Sequence, residues 1–368
     1  MNTMHRPIPD AEQREAWRRR DARYDGAFVI AVSTTGIYCR PSCPSRPAED
    51  HVAFLPDAAA AEQAGYRACR RCTPDRMAGE PPEAISRLLR QVEASPDTRI
   101  SAADLRALGL APDTVRRWFL RHRGMTFSTW CRRRRLGAAL QQLGAGAPLD
   151  DVALGHGFES HSGFRSAFER LFGKAPGQLR TGQCLHVALL PTPLGSMLVA
   201  ADRQVVRRLV FADPAALADS YRELSRTADM PVVPGSNPVL ERLAGELEEY
   251  FAGRRRAFSV PLDGHGTPFQ ERVWAALRNI PWGETQSYGD IARRLGTPRA
   301  IRAVARANAA NPLYLLNPCH RVIGKDGKLT GYAGGLWRKD RLLALEQAGH
   351  GNPSLFPEAV LAASRTSR

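Results

Sequence analysis

The chain has 368 residues, enough for two or three domains with real cores. Lys and Arg outnumber Asp and Glu by 52 to 37, a formal charge of +15, which points to a polyanionic partner, nucleic acid before an anionic membrane surface. No run of about 18 apolar residues is present, which excludes a transmembrane helix and leaves no membrane partner expected. The opening MNTMHRPIPDAEQREAWRRRD carries no apolar core of a secretory signal, so the expected location is the cytoplasm. Seven cysteines, an odd number, favour reduced thiols in metal sites or catalysis over a disulfide framework.

The elements change character along the chain. Residues 1–80 hold four of the seven cysteines, and Gly79-Glu80-Pro81-Pro82 reads as a linker. From Ala84 to about Arg180 the pattern is helical and basic, and Thr181-Gly182-Gln183 is a second junction. Short alternating strands follow at His186–Leu190, Ser196–Ala201 and Val205–Phe211, then helices at 237–252, 268–279, 287–295, 299–309 and 335–347. The expected architecture is multidomain α+β. It divides into a small four-cysteine unit over 1–80, an all-α double helix-turn-helix over 84–180, a strand-rich lobe over 184–265 and a helical lobe over 266–350. The Pro/Ser-containing end after Gly351 is expected to fray.

Cys39 and Cys43 lie in TTGIYCRPSCPSR, and Cys69 and Cys72 in YRACRRCTPD. Two close pairs separated by a loop are the pattern of a tetrahedral zinc site, and a metal offsets the small core of an 80-residue unit. A purely structural zinc is the plainer use of this spacing. The surrounding Arg40, Arg46, Arg67, Arg70 and Arg71 favour another, because a basic surface brings a phosphate close to a thiolate that stays nucleophilic at neutral pH. FVIAVSTTGIYCRPSCPSR, preceded by Trp17, Arg20, Asp21, Asp25 and Gly26, closely resembles the zinc domain of the Ada family of DNA-repair and regulatory proteins. The resemblance implies that Cys39 accepts a methyl group from a DNA methylphosphotriester, with Cys43, Cys69 and Cys72 as companion ligands and Thr35, Arg46 and Arg67 near the DNA backbone. Four thiolates on zinc carry a net charge of about −2, and methylation leaves about −1. One charge at about 6 Å from a phosphate is worth roughly 1–3 kcal/mol, so methylation is expected to tighten DNA binding.

In the middle segment Ser101 caps a helix through Leu105, Gly109 turns the chain, and Pro112 opens a second helix. Val115 and Phe119 face inward there, leaving Arg116, Arg117 and Arg121 for DNA. A second unit opens at Asp150 with a helix carrying Val152 and Leu154 and turns at Gly155-His156-Gly157-Phe158. Its next helix is capped by Ser160 or Ser162 and carries Phe164, Phe168 and Leu171, with Ser160, His161, Ser162 and Arg165 at the exposed start, where a recognition helix meets base edges. The run Arg132–Arg135 reads equally as a solvated face, Cys131 as a small buried hydrophobe, and neither His156 nor His161 as a metal ligand. GFESHSGFRSAFERLFGKAPGQLR and the unit before it resemble the AraC-type DNA-binding domain, which implies promoter recognition.

Cys319 is followed directly by His320, Pro318 constrains the turn before it, and Glu346 lies 26 residues after the histidine. A Cys-His-acid set holds a thiol poised for attack and would serve a cysteine hydrolase as well. Residues 287–295 and 299–309 flank Gly296-Thr297-Pro298 as a further helix-turn-helix, with Ala300, Ala303, Ala307 and Ala310 on one face. That stripe suits either tight helix packing or approach to the narrow minor groove. IPWGETQSYGDIARRLGTPRAIRAVARANAANP and PCHRVIGKDGKLTGYAGGLWRKDRLLALE closely resemble the O6-alkylguanine-DNA alkyltransferases.

The resemblance implies that Cys319 takes the alkyl group from O6-methylguanine, and from O4-methylthymine, without turnover. His320 and Glu346 then lower the thiol pKa, Asn311 braces the turn, and Tyr288 helps extrude the base and donates a proton. Arg302 fills the stack, and Tyr332 with Ala333 lines the pocket. Extrusion is needed because a stacked base cannot reach a buried sulfur. Two residues depart from the family pattern: Ala333, where some members have Ser, and Asn317, where an apolar residue is usual. The combined expectation is a single-turnover protein-cysteine methyltransferase that also activates transcription. It would hold one zinc ion and no organic cofactor, and would act as a monomer with double-stranded DNA and RNA polymerase as partners. A regulator with merely structural cysteines would take up no methyl groups, and a hydrolase would turn over repeatedly.

Overall fold

A computed structural model describes residues 8–77, 80–95, 98–179 and 182–348. Gly79, Arg180, Thr181 and the segment after 348, on which parts of the two expected junctions and the expected frayed end fall, lie outside the described residues.

The N-terminal unit begins with α1 (Asp10–Arg19) and continues through β1 (Val29–Val32), β2 (Ile37–Cys39), β3 (Val52–Leu55), α2 (Ala58–Gln63) and β4 (Arg67–Ala68). The sheet order is β3-β1-β2-β4. Its antiparallel part sets Ile30 opposite Cys39, and β4 adds in parallel with Ile37 beside Arg67 and Tyr38 beside Ala68. The parallel register delivers Cys39 and Cys69 to the same end of the sheet, which is how two distant cysteine pairs meet. Tyr38, wholly buried, anchors this end through its hydroxyl to Glu62 at 2.8 Å.

Six helices make the middle: α3 (Glu83–Ala94), α4 (Ala102–Ala107), α5 (Pro112–Arg123), α6 (Phe127–Gly144), α7 (Leu149–Gly155) and α8 (His161–Phe172). Ser101 and Asp104 form a reciprocal cap on α4. Gly109 turns at φ 74°, and Pro112 starts α5 where its missing N–H has no helical partner to lose. Ser160, not Ser162, caps α8 by accepting from Gly163 N. Val115, Phe119, Phe164 and Phe168 are fully buried as their spacing requires. Leu154 is 65% exposed, because α7 is only about two turns long and its buried side is filled by Val152 and Ala153. The expected solvated face at Arg132–Arg135 is only Arg132: Arg133 donates to Val232 O at 3.0 Å and Arg134 stacks 4.8 Å from the Trp130 ring. Cys131 is half-buried.

The last unit has a four-stranded sheet ordered β7-β6-β5-β8, from β5 (Leu185–Leu190), β6 (Met197–Ala201), β7 (Val206–Phe211) and β8 (Val232–Pro234), with α9 (Leu217–Thr227) between the last two. The helical lobe follows with α10 (Pro238–Phe251), α11 (Pro268–Arg278), β9 (Gln286–Ser287), α12 (Tyr288–Arg294), α13 (Ile301–Ala309), β10 (Val322–Ile323) and α14 (Leu336–Gln347). Parallel pairing of β9 with β10 joins the start of α12 to the turn after Cys319. Residues 312–314 lie along β7, with Leu209 N donating to Pro312 O at 2.8 Å and Tyr314 N to Leu209 O at 2.7 Å.

The units share cores rather than hanging as beads. Phe28, Ile30 and Val32 belong to the same apolar cluster as Met197, Trp274 and Leu342, and Trp337 Nε1 donates to Arg23 O at 3.1 Å. Val115, Phe119 and Trp130 cluster with Leu185, Leu198 and Tyr221. At Gly124, φ 67°, a Cβ would stand 2.7 Å from the Ala218 backbone, so only glycine permits this approach of α5 to α9.

Truncating Phe168 to alanine is expected to cost about 3–5 kcal/mol, seen as lost amide-exchange protection in α7 and α8. Unchanged protection there would contradict the packing described.

Candidate functional site

The four cysteine sulfurs of the N-terminal unit lie within 4.8 Å of one another. A tetrahedral zinc with bonds of about 2.3 Å separates its sulfurs by about 3.8 Å, so the set fits one ion with little adjustment. The donors are all thiols, the soft set that zinc takes in closed four-coordinate sites. Backbone and hydroxyl donors point at the sulfurs: Arg40 N to Cys72 at 3.4 Å and Ser45 Oγ to Cys43 at 3.3 Å. The hydrogen bond to Cys43 pushes Cys39 up to about 12 while Cys43 itself is drawn down. Sulfurs this close share protons unless a cation holds them all as anions. Asp25, half-buried, grips the loop between the first pair by accepting from Ser42 N at 3.1 Å and Ser42 Oγ at 2.6 Å.

Thr35, Arg46, Arg67, Arg70 and Arg71 are exposed around this unit. Arg40 departs from the expectation of a surface cation. It is buried and straps the second cysteine loop through Cys72 O, Thr73 O and Arg76 O, since a guanidinium alone can satisfy three carbonyls at a chain reversal. Burial does not single out Cys39, as Cys39 and Cys43 are equally enclosed.

In the helical middle, Arg116 and Arg117 are exposed on α5, and Ser160, His161, Ser162 and Arg165 are exposed at the start of α8. His161 Nε2 meets Asp150 Oδ1 at 2.7 Å, which orients the imidazole on the rim of this helix. His156, buried, meets Gln142 Oε1 at 3.2 Å and is a core group.

The third site is assembled from four elements. Cys319 follows an inverse turn in which its N–H donates to Asn317 O at 2.6 Å across Pro318. Asn311, at the end of α13, donates through Nδ2 to Cys319 Sγ at 3.1 Å and to Asn317 O at 2.9 Å. Burial pushes the Cys319 thiol up to about 11, against the Asn311 hydrogen bond and the Lys339 charge. His320, fully buried, has Nε2 at 2.9 Å from Glu346 Oε1, and its Nδ1 has no protein partner among the described residues. A proton on Nε2 toward the carboxylate leaves Nδ1 as the basic atom. Glu346 also accepts from Tyr250 OH at 2.8 Å and from Arg321 Nε and Nη2 at 2.8 and 2.9 Å. Burial would raise this carboxyl, but His320 and Arg321 hold it down to about 2.

Tyr288, first residue of α12, is half-buried with its hydroxyl beside Thr330 and Asn308, and burial raises its pKa, so it keeps its proton. Tyr332 packs 5.6 Å from Tyr314, and Ala333 is exposed on the loop to Gly335. Arg302 is exposed at the start of α13. The alanine stripe is mixed, with Ala307 buried, Ala300 and Ala303 half-buried and Ala310 exposed.

Sequence reasoning missed Tyr250, Arg321 and Lys339 at this site. Lys339 is wholly buried and donates through Nζ to Val322 O and to Thr330 O at 2.9 Å, fastening the loop before Tyr332 to β10. A charged residue amid the apolar positions of the last helix was the available signal for it. Nothing local marks Tyr250, which lies 96 residues from its partner.

The depressed Glu346 sets a pH dependence. A carboxyl held below its ordinary value of 4.5 contributes stability fully above that value and loses it as pH falls toward about 2. Glu346→Gln is therefore expected to be less stable at pH 7, because Arg321 is left buried without its counter-charge, and flatter than the parent between pH 4.5 and 2. Parallel acid unfolding curves for the two proteins would contradict the ion cluster.

Comparison with known proteins agrees with this geometry. The chain matches the metal binding domain of Ada over residues 12–75 and a helix-turn-helix domain over 105–182. It also matches the ribonuclease-like and DNA binding domains of 6-O-methylguanine DNA methyltransferase over 185–264 and 268–348. It is 35% identical over 347 residues to the bifunctional transcriptional activator/DNA repair enzyme Ada of Escherichia coli strain K12, covering 92% of this chain and 97% of that protein. The regulatory protein ada of Salmonella typhimurium is 34% identical, with 90% of this chain and 96% of that one covered. Among solved structures, Mycobacterium tuberculosis OGT in complex with DNA is 40% identical over 47% of this chain and 99% of that one, with a TM-score of 0.38. With 97% and 96% of these two bacterial proteins covered at 35% and 34% identity, the protein belongs to the Ada family.

Proposed function

We propose that this protein reverses alkylation damage in double-stranded DNA by accepting methyl groups on two of its own cysteines, and that one of these events turns it into a transcriptional activator. The observation that carries the guanine half is the Asn311 N–H at 3.1 Å from the Cys319 sulfur, beside the buried His320–Glu346 pair. Cys319 gives its proton toward His320 Nδ1, and the imidazolium is compensated by Glu346. The sulfur then attacks the methyl carbon of an extruded O6-methylguanine in line. The S–C bond forms, the C–O6 bond breaks, and its electron pair returns to the guanine ring, which takes a proton from the Tyr288 side of the pocket. O4-methylthymine presents the same leaving group. Arg302 on α13 stands at the surface to hold the stack, and Tyr332 with Ala333 lines the opening.

At the N-terminal site, bound zinc supplies the positive charge that keeps four sulfurs anionic at neutral pH. Cys39 takes the methyl group from a phosphotriester, forming S–C as the C–O bond breaks, and the phosphodiester leaves as its anion. No proton moves. Cys43, Cys69 and Cys72 stay as ligands. Thr35, Arg46 and Arg67 line the backbone contact, and the loss of one negative charge strengthens their grip on phosphate. Residues 84–180 read the promoter through Arg116, Arg117 and the Ser160–Arg165 face, where the protein acts as a monomer in the cytoplasm and engages RNA polymerase.

Both thioethers are stable, so each cysteine serves once. Cys319→Ala should abolish transfer from O6-methylguanine and spare the phosphotriester, with Cys39→Ala doing the reverse. A Cys319→Ala protein that still demethylates guanine overturns the assignment.

A further inference from the structure

We infer that Asn317 and Arg278 are positioning residues for the Cys319 thiolate, forming with Asn311 a polarised relay that ends on the sulfur. This rests on Cys319 as the acceptor. Asn317 is completely buried at the position where an apolar side chain was expected. Both ends of its amide are used. Oδ1 accepts from Arg278 Nη1 at 2.8 Å, and Nδ2 donates to Asn311 Oδ1 at 3.1 Å. Asn311 in turn donates through Nδ2 to Cys319 Sγ.

The direction of this chain is fixed by its outer member. A guanidinium only donates, so Asn317 must turn its oxygen to Arg278 and its NH₂ to Asn311. Asn311 must then turn its oxygen to Asn317 and its NH₂ to the sulfur. Leu313 N, donating to Asn311 Oδ1 at 3.0 Å, reinforces the same orientation. A hydrogen bond to the charged form of a thiol favours that form, and a cation at the far end of an amide chain polarises each N–H along it. An apolar residue at 317 would leave Arg278 without this acceptor and Asn311 with one donor fewer.

Other groups act on the same sulfur. Lys339 carries a positive charge toward it from α14, and His320 with Glu346 and Arg321 forms the ion cluster on the adjoining side. Tyr288, Tyr314 and Tyr332 face it from α12, the 312–316 loop and the 331–335 loop, each with its pKa raised by burial and by the nearby sulfur. Among the described residues no side-chain hydrogen bond or ion pair joins any of these to Arg278 or Asn317, so the relay can be tested with them intact.

The test uses the full-length zinc-loaded protein and two methyl donors, an O6-methylguanine duplex and iodomethane, with the Cys319 peptide quantified by mass at pH 6 to 9. Arg278→Met changes an exposed helix end and should fold. It is expected to slow methylation of Cys319 at pH 7 by about 3–10-fold with either donor, with the deficit closing as pH rises. Arg278→Lys should recover most of the rate, and Asn317→Ile should reproduce the Arg278→Met profile. Superimposable pH profiles for parent and Arg278→Met, or a loss constant across pH, overturn the relay while leaving Cys319 as acceptor. Failure of the parent to take methyl from the duplex at Cys319 overturns the acceptor assignment itself. The iodomethane profile then still supports or refutes the relay.

Discussion

The proposed methyl transfer depends on keeping sulfur anionic, or ready to become so, inside a protein that otherwise penalises buried charge. An isolated thiolate removed from water reverts to a thiol. The two proposed acceptor sites solve this differently. At the sheet end formed by β2 and β4, four sulfurs are crowded so closely that only a shared cation makes full ionisation tolerable. At the turn after α13, one sulfur is enclosed, and its surroundings substitute for water with an amide N–H, a lysine charge and an imidazole braced by a carboxylate.

The supporting structure follows from that requirement. In that proposal Glu346 is useful to His320 only if it is ionised and immobile, and four donor atoms, one from α10 and three from the turn after Cys319, see to both. The helix that carries Glu346 begins at the loop of Tyr332 and is pinned there by Lys339, while Trp337 and Arg338 at its start face the N-terminal unit. One rigid element thus touches Glu346, the loop of Tyr332 and the neighbouring unit. The net charge of +15 is a separate layer. It draws the whole molecule to DNA, and the exposed arginines on α5, α8 and α13 leave that charge where a duplex can reach it.

Legibility in the sequence varied with the range of the interaction. The caps and turns of the double helix-turn-helix were readable because Ser101, Gly109 and Pro112 act within a few residues. The paired cysteines and the Cys-His dipeptide were readable because their chemistry is local. Residues whose role is set by distant partners were not. Arg40 looked like a surface cation and is a buried strap, and the Arg132–Arg135 run divides between packing and solvent. Asn317 was visible only as a departure from pattern, since its meaning lies in Arg278, 39 residues earlier. The β8 strand and α9 were also unread: β8 has three residues and gains its structure from pairing with β5, whereas Leu217, Tyr221 and Leu224 on α9 carry a helical spacing that was available and unused.

The most direct measurement is the methyl count on the unmodified full-length chain after exposure to duplex bearing both lesions in excess, with every cysteine peptide resolved. The account gives two methyl groups per chain, one on Cys39 and one on Cys319, with Cys43, Cys69, Cys72, Cys131 and Cys184 unchanged. A count that keeps rising with time, or methyl groups on neither of those two sulfurs, would contradict it.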